Sequence, residues 1–252
     1  MIIAIANQKG GVAKTTSTIA LGGLLAEACR CLAVDLDPQG NLTTGLGVKI
    51  QKQQPTAYEM LIDDTQSAEE VLVETQCGLY LIPADISLAK GEKEILSEIG
   101  NTGFLKRKLL PLQEKFDHIL IDCPPSLGLL TVNALAAADS VLIPVQCQFF
   151  ALEGLRQLLE TIKGIRNREV NPQLQILGVI PTMAEKNTLT TQDALNTLKT
   201  MLTGVEVYEP VPKSVKFAES NLAREPIHIY SKDKKLVAPY RAIAKKLLKQ
   251  VK

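Results

Sequence analysis

Short apolar runs punctuate the chain at residues 2–6, 31–36, 79–83, 118–123, 140–145 and 175–181. Between and after them, apolar positions recur at helical spacing over roughly 15–28, 67–75, 86–98, 103–115, 127–137, 150–168, 188–202 and 236–250. Apolar runs without polar alternation are expected of strands covered on both faces, and their alternation with helices predicts an α/β fold with a mostly parallel twisted sheet flanked by helices. No sequence repeat accompanies this βα repetition. Lys49 to Pro55, with its three Gln and two Lys, reads as an exposed loop and not as a boundary, so residues 1–252 are expected to form one domain.

Composition supports a sizeable aliphatic core, with 46% apolar residues, 4% aromatics and no Trp. The formal net charge is only +1, so affinity for a polyanion has to come from a local patch. The chain has no stretch of 18 apolar residues. Its first apolar run reads as a strand, so neither a membrane span nor a signal peptide is expected and the location expected is cytoplasmic. The five cysteines, Cys29, Cys31, Cys77, Cys123 and Cys147, include no C-x-x-C pair and are read as free thiols.

The chemistry begins directly after the first run. Lys9-Gly10-Gly11-Val12-Ala13-Lys14-Thr15-Thr16 stands between a strand and a helix, as a phosphate-binding loop requires. Backbone N–H groups at a helix N-terminus cradle phosphates, Lys14 reaches their outer oxygens and the Thr15 hydroxyl ligates Mg²⁺. Lys9 adds a second lysine at the mouth of the loop, with reach toward its own nucleotide or one held by a facing subunit, which points to a nucleotide-sandwich dimer. Alanine replaces the usual glycine at Ala13. A positive φ there costs about 1 kcal/mol or more, whereas a helical φ makes the change nearly harmless.

Two further runs end in carboxylates. Asp35 and Asp37 close the second, where strand alternation puts both on one face at the C-terminal end of the sheet. Asp37 is the candidate for orienting or deprotonating an attacking water, its alternative role being to start the turn before Pro38, and Asp35 is expected to support it from behind. Asp122 ends the run His118-Ile119-Leu120-Ile121 ahead of Pro124-Pro125, the Walker B pattern, and is expected to hold Mg²⁺ through a water.

These segments, together with Asp37-Pro38-Gln39-Gly40-Asn41, Ile143-Pro144-Val145-Gln146-Cys147 and Ala151-Leu152-Glu153-Gly154, resemble the ParA/Soj family of deviant Walker A, P-loop partition ATPases, in register from residue 1 into the C-terminal region. The resemblance implies ATP and Mg²⁺ as ligands and an ATP-bound homodimer that binds DNA non-specifically on the nucleoid. It also implies slow hydrolysis accelerated by a ParB-like partner, without stable membrane anchoring. It makes Pro181 and Pro212 candidates for contact with the base, and Lys186, Lys213 and Lys216 candidates for DNA phosphates, with Lys232, Lys234 and Lys235 as an extension. Alternatives from the same superfamily are a MinD-like membrane-associated positioning ATPase, for which the basic amphipathic last helix is the relevant feature, and a ParA-like ATPase positioning a non-DNA cargo. A nucleotide-sensing scaffold with scarcely any turnover is the non-enzymatic alternative. For that last helix, docking of Leu236, Tyr240, Ile243, Leu247 and Val251 on the fold is the commoner outcome.

Overall fold

A computed structural model describes residues 1–96, 102–148, 151–185 and 188–250. In chain order its elements are β1 (Ile2–Ile5), α1 (Lys14–Ala26), β2 (Cys31–Asp35), α2 (Asn41–Gly45), α3 (Ala57–Ile62), β3 (Val73–Glu74) and β4 (Tyr80–Ile82). Next come α4 (Leu88–Leu96), α5 (Phe104–Leu109), β5 (His118–Asp122), α6 (Leu129–Ala137), β6 (Ser140–Gln146) and α7 (Ala151–Asn167). The chain continues with β7 (Gln175–Thr182), α8 (Leu189–Met201), α9 (Lys216–Ala223), α10 (Ile227–Tyr230) and α11 (Lys234–Leu248).

The strands form a seven-stranded sheet in the order β3-β4-β2-β5-β1-β6-β7. All pairings are parallel except β3 with β4. Each face of the sheet has its own core. Ile2 and Ala4 of β1 join Leu32, Ile119 and Ile121 under the layer that includes Met60, Leu105, Leu130 and Leu158, whereas Ile3 and Ile5 face α1 and α11. This is the period-two geometry of a strand buried on both sides, and it explains why the apolar runs lacked polar alternation. Register places Ile5 opposite Asp122 and Asp35 opposite Asp122, so the chemistry-bearing ends of β1, β2 and β5 lie side by side.

Some expectations require correction. Residues 67–75 contain no helix. They run through turns into β3, whose hairpin with β4 closes at Gly78, at φ 78°. Ala68 and Val71 are buried there, so one turn of core-facing residues gave the helical spacing. Helix α3 was legible and overlooked: Thr56 and Glu59 form a reciprocal capping box. The short helices α2, α9 and α10 lie in segments to which the apolar pattern assigns no element.

The last helix docks. Leu236, Tyr240, Ile243 and Leu247 are buried, and the Tyr240 hydroxyl lies 3.1 Å from Ser17 Oγ of α1. Val251 lies outside the described residues. Arg241, Lys245 and Lys249 face outward. Among the described residues no helix is long and apolar enough to cross a membrane.

Candidate nucleotide site

The loop between β1 and α1 leaves the central region of the sheet and turns through two residues of positive φ, Gly11 at 70° and Ala13 at 69°. Ala13 therefore occupies the left-handed region that the sequence raised as the costly case, immediately before the first residue of α1. The loop is tied down around it. Asn7 Nδ2 donates to the Pro144 carbonyl at 2.7 Å, Asn7 Oδ1 accepts from the Lys9 amide at 3.0 Å, and Thr182 Oγ1 donates to the Val12 carbonyl at 3.1 Å. These bonds anchor the loop to β6 and β7, which holds the strained residue in place.

Gly10, Gly11, Ala13, Lys14, Thr15 and Thr16 line a cavity of about 730 Å³ together with Asp37, Gln39, Asn41, Thr44 and Pro125. Met183 and the α9 residues Ala218, Asn221 and Leu222 complete the wall. Val12 does not line the cavity; its side chain is buried. The Lys9 side chain does not line this cavity: its ammonium leans 3.4 Å from Gln146 Oε1 at the end of β6, while its carbonyl accepts from Lys14 Nζ at 3.2 Å.

Beneath the loop lies a group of buried charges. Asp122 is wholly buried, accepting from Thr15 Oγ1 at 2.6 Å and Thr18 Oγ1 at 3.2 Å. Burial first, and Asp35 in the adjacent strand second, push its carboxyl up to about 8. Burial also lowers the Lys14 ammonium, against the pull of Asp122. Asp35 is raised to about 7 by burial, although Thr43 and the Asp37 amide donate to it. Two buried carboxylates with one lysine beside them are short of positive charge, which a hard divalent cation supplies. The Thr15 hydroxyl on the cavity wall and the Asp122 carboxylate bonded behind it are oxygen donors that fit Mg²⁺. Among the described residues no three His, Cys, Asp or Glu cluster as a protein-built metal cage. Mg²⁺ keeps most of its waters and takes phosphate oxygens, so a carboxylate and a hydroxyl suffice on the protein side.

Asp37 is placed differently from the sequence expectation. Strand β2 ends at Asp35, so alternation does not set the pair on one face. Asp37 instead opens a turn, its carbonyl accepting from the Gly40 amide at 2.9 Å and its Oδ1 from the Gln39 amide at 3.0 Å. It nevertheless reaches the cavity, so the turn-forming and cavity-lining roles coexist. The side chain of Pro181 lines neither this cavity nor its neighbour, which corrects the expectation of base contact. Its carbonyl accepts from the Val211 amide at 2.8 Å and so fixes the segment carrying Pro212. Pro212 does line the adjoining space of about 220 Å³, with Thr16, Met183, Phe217 and Tyr240.

Lys186 lies outside the described residues. Lys213 pairs with Glu185 at 2.7 Å and Lys216 with Glu219 at 2.7 Å, all partly exposed. Lys232, Lys234 and Lys235 are exposed. Cys123 is buried beside the site, and burial drives its thiol far above the usual range, so it behaves as a small core residue. Sequence reasoning missed Asn41, Thr44, Asn221 and Leu222, which reach the cavity from two unforeseen short helices.

The fold and site together define a P-loop α/β protein with a second lysine ahead of its phosphate loop. A family model described as an AAA domain matches residues 1–176. The chain is 41% identical over 247 residues to the sporulation initiation inhibitor protein Soj of Bacillus subtilis, covering 98% of this chain and 97% of that one. It is 41% identical over 252 residues to the chromosome partitioning protein ParA of Myxococcus xanthus, covering 99% and 88%. Among solved structures, one described as cobyrinic acid a,c-diamide synthase from Mycobacterium smegmatis with bound ADP and magnesium superposes with a TM-score of 0.85 at 38% identity, covering 99% of this chain and 94% of that one. The chain belongs to the ParA/Soj family.

Proposed function

We propose that this protein is an ATP-hydrolysing switch for chromosome or plasmid partition, cytoplasmic and nucleoid-associated, that closes as a dimer on ATP, binds DNA non-specifically in that state and releases it on hydrolysis. The observation that carries this reading is the meeting of the phosphate loop and Asp37 around one cavity, with the buried Asp122 hydrogen-bonded to Thr15 of the cavity wall. The partition role rests on the likeness to Soj and ParA.

In this mechanism the backbone amides from Gly10 to Thr16, at the positive end of α1, hold the phosphates. Lys14 transfers its hydrogen bond from the Lys9 carbonyl to a phosphate oxygen. Magnesium, when bound, supplies neutralising charge across the outer phosphates, and Thr15 with Asp122 would hold it, Asp122 through water. Asp37 orients the attacking water and takes its proton. Lys9, whose ammonium points away from its own cavity, serves the phosphates of the facing subunit. A ParB-like partner accelerates the step, and slow turnover without it is expected. Pro212 is proposed to flank the base.

DNA contact by Lys186, Lys213 and Lys216 requires only charge with reach. The carboxylates paired with Lys213 and Lys216 are solvent-screened and readily exchanged for a phosphate. The test is binding to unrelated duplex DNA and to anionic vesicles with ATP, ADP or neither, at two salt concentrations. ATP-dependent, salt-sensitive DNA binding without vesicle binding is the expected result. Vesicle binding alone would overturn the partition reading in favour of a membrane-positioning ATPase and require α11 to leave its seat on α1.

A further inference from the structure

Behind Asp37 runs a short chain of buried hydrogen bonds that ends outside the nucleotide cavity. Asp35 Oδ1 accepts from the Asp37 amide at 3.1 Å. Its other oxygen accepts twice from one residue, from the Thr43 amide at 2.9 Å and from Thr43 Oγ1 at 2.7 Å. The same Thr43 hydroxyl then accepts from the Ala84 amide at 3.0 Å, in the turn that follows β4. Asp35 is 0% exposed and Thr43 3%. Capping α2 needs only the Thr43 amide, and any residue but proline supplies that. The hydroxyl does something the backbone does not: it passes the contact from Asp35 to Ala84.

Gly40 permits this arrangement. It stands at φ 61°, and a Cβ at its position would lie 2.7 Å from the Ala84 carbonyl oxygen. Only glycine lets the Asp37–Gly40 turn lie against the Ala84 backbone, close enough for the Thr43 hydroxyl to meet the Ala84 amide.

We propose that Thr43 is a positioning residue for Asp37, which it holds through Asp35 and ties to the turn after β4. The inference rests on the reading of Asp37 as the residue that orients water. Thr43 touches neither reacting atoms nor phosphates. It restrains the backbone from which Asp37 projects, and a shift of that backbone by a fraction of an ångström misdirects the carboxylate while leaving the phosphate loop intact. Thr43 therefore governs turnover and not affinity.

The experiment compares Thr43→Val, Thr43→Ser, Asp35→Asn and Asp37→Ala in the full chain, measuring ATP affinity and single-turnover hydrolysis with Mg²⁺. Thr43→Val is expected to keep ATP affinity within about threefold and to lower the hydrolysis rate about ten- to a hundredfold, the scale of a misplaced catalytic group. Thr43→Ser, which restores the hydroxyl, is expected to recover most of the rate. Asp35→Asn breaks the same chain one link nearer Asp37 and is expected to behave like Thr43→Val, so it carries the test should the valine variant fail to fold. Wild-type turnover in Thr43→Val or Asp35→Asn while Asp37→Ala is inactive would overturn the positioning role alone. Wild-type turnover in Asp37→Ala would remove the reading on which it rests. Parallel loss of affinity and rate, or no recovery with serine, would mark Thr43 as merely structural and likewise overturn the inference.

Discussion

The two ends of α1 live in opposite surroundings. Its first turn carries Lys14, Thr15 and Thr18 onto a buried carboxylate, behind a loop with two residues of positive φ. Its middle and far end place Leu21, Leu24 and Leu25 in an apolar core shared with α11, where Tyr240, Ile243 and Leu247 are 0% exposed, and nearer its start Ser17 Oγ meets the Tyr240 hydroxyl. One helix thus joins an under-compensated, strained end to one packed into an apolar core. The difference teaches that the docked end supplies the stability that the phosphate-loop end spends on desolvated charge and strained backbone.

The largest effect should come from the charged end. Lys14→Ala is expected to weaken ATP binding by about three orders of magnitude, on the order of 4 kcal/mol, in a fluorescent-nucleotide titration, while the nucleotide-free protein unfolds no earlier than wild type. Early unfolding would show that the lysine is structural and dissolve the contrast between the two ends. At the docked end the signs reverse: Leu247→Ala is expected to cost about 2–5 kcal/mol in denaturant unfolding with ATP affinity essentially unchanged. A smaller loss would mean that α11 is loosely seated.

A pH series sharpens the comparison. Asp122 and Asp35 are held near 8 and 7 in the folded protein, against an ordinary 3.8 when the chain is unfolded. Between those limits the folded state binds more protons than the unfolded one, so stability is highest below the unfolded value and falls as pH rises toward 8. The melting temperature of nucleotide-free, magnesium-free protein should therefore decline from pH 5 to pH 8, and Asp122→Asn should flatten the decline. A rising or level profile in the wild type would mean that neither carboxyl is protonated in the fold. The smallest effect is at Ala13: Ala13→Gly relieves the left-handed strain and should stabilise the protein by about 0.5–1 kcal/mol in the same unfolding assay, after the added freedom of the unfolded chain is subtracted. Destabilisation would show that alanine is tolerated there without strain.

The sheet and the phosphate loop were legible because local pattern encodes them. Uninterrupted apolar runs gave six of the strands; Lys14 and Thr15 follow the first of them, and Asp122 closes β5, at positions the sequence marks. Apart from α3, whose capping box is a local signal, what the sequence did not show depends on distant contacts. Asn221 and Leu222 approach the cavity from α9, some two hundred residues along the chain from the loop they face. Pro181 and Pro212 look alike as prolines near strand ends, yet only Pro212 faces the space, because β7 carries Pro181 into its pairing with β6. Asp35 and Asp37 looked equivalent by spacing, until the strand ended between them.

The hydrogen bond from Lys14 to the Lys9 carbonyl has a consequence for how a phosphate is captured. The ammonium is already desolvated and already oriented by the loop it serves, so an arriving oxygen takes over an existing bond and recruits no waving side chain from solvent. Capture then costs little ordering entropy at this residue, and the loop is expected to behave as a preformed socket, selecting its ligand by fit more than by folding around it.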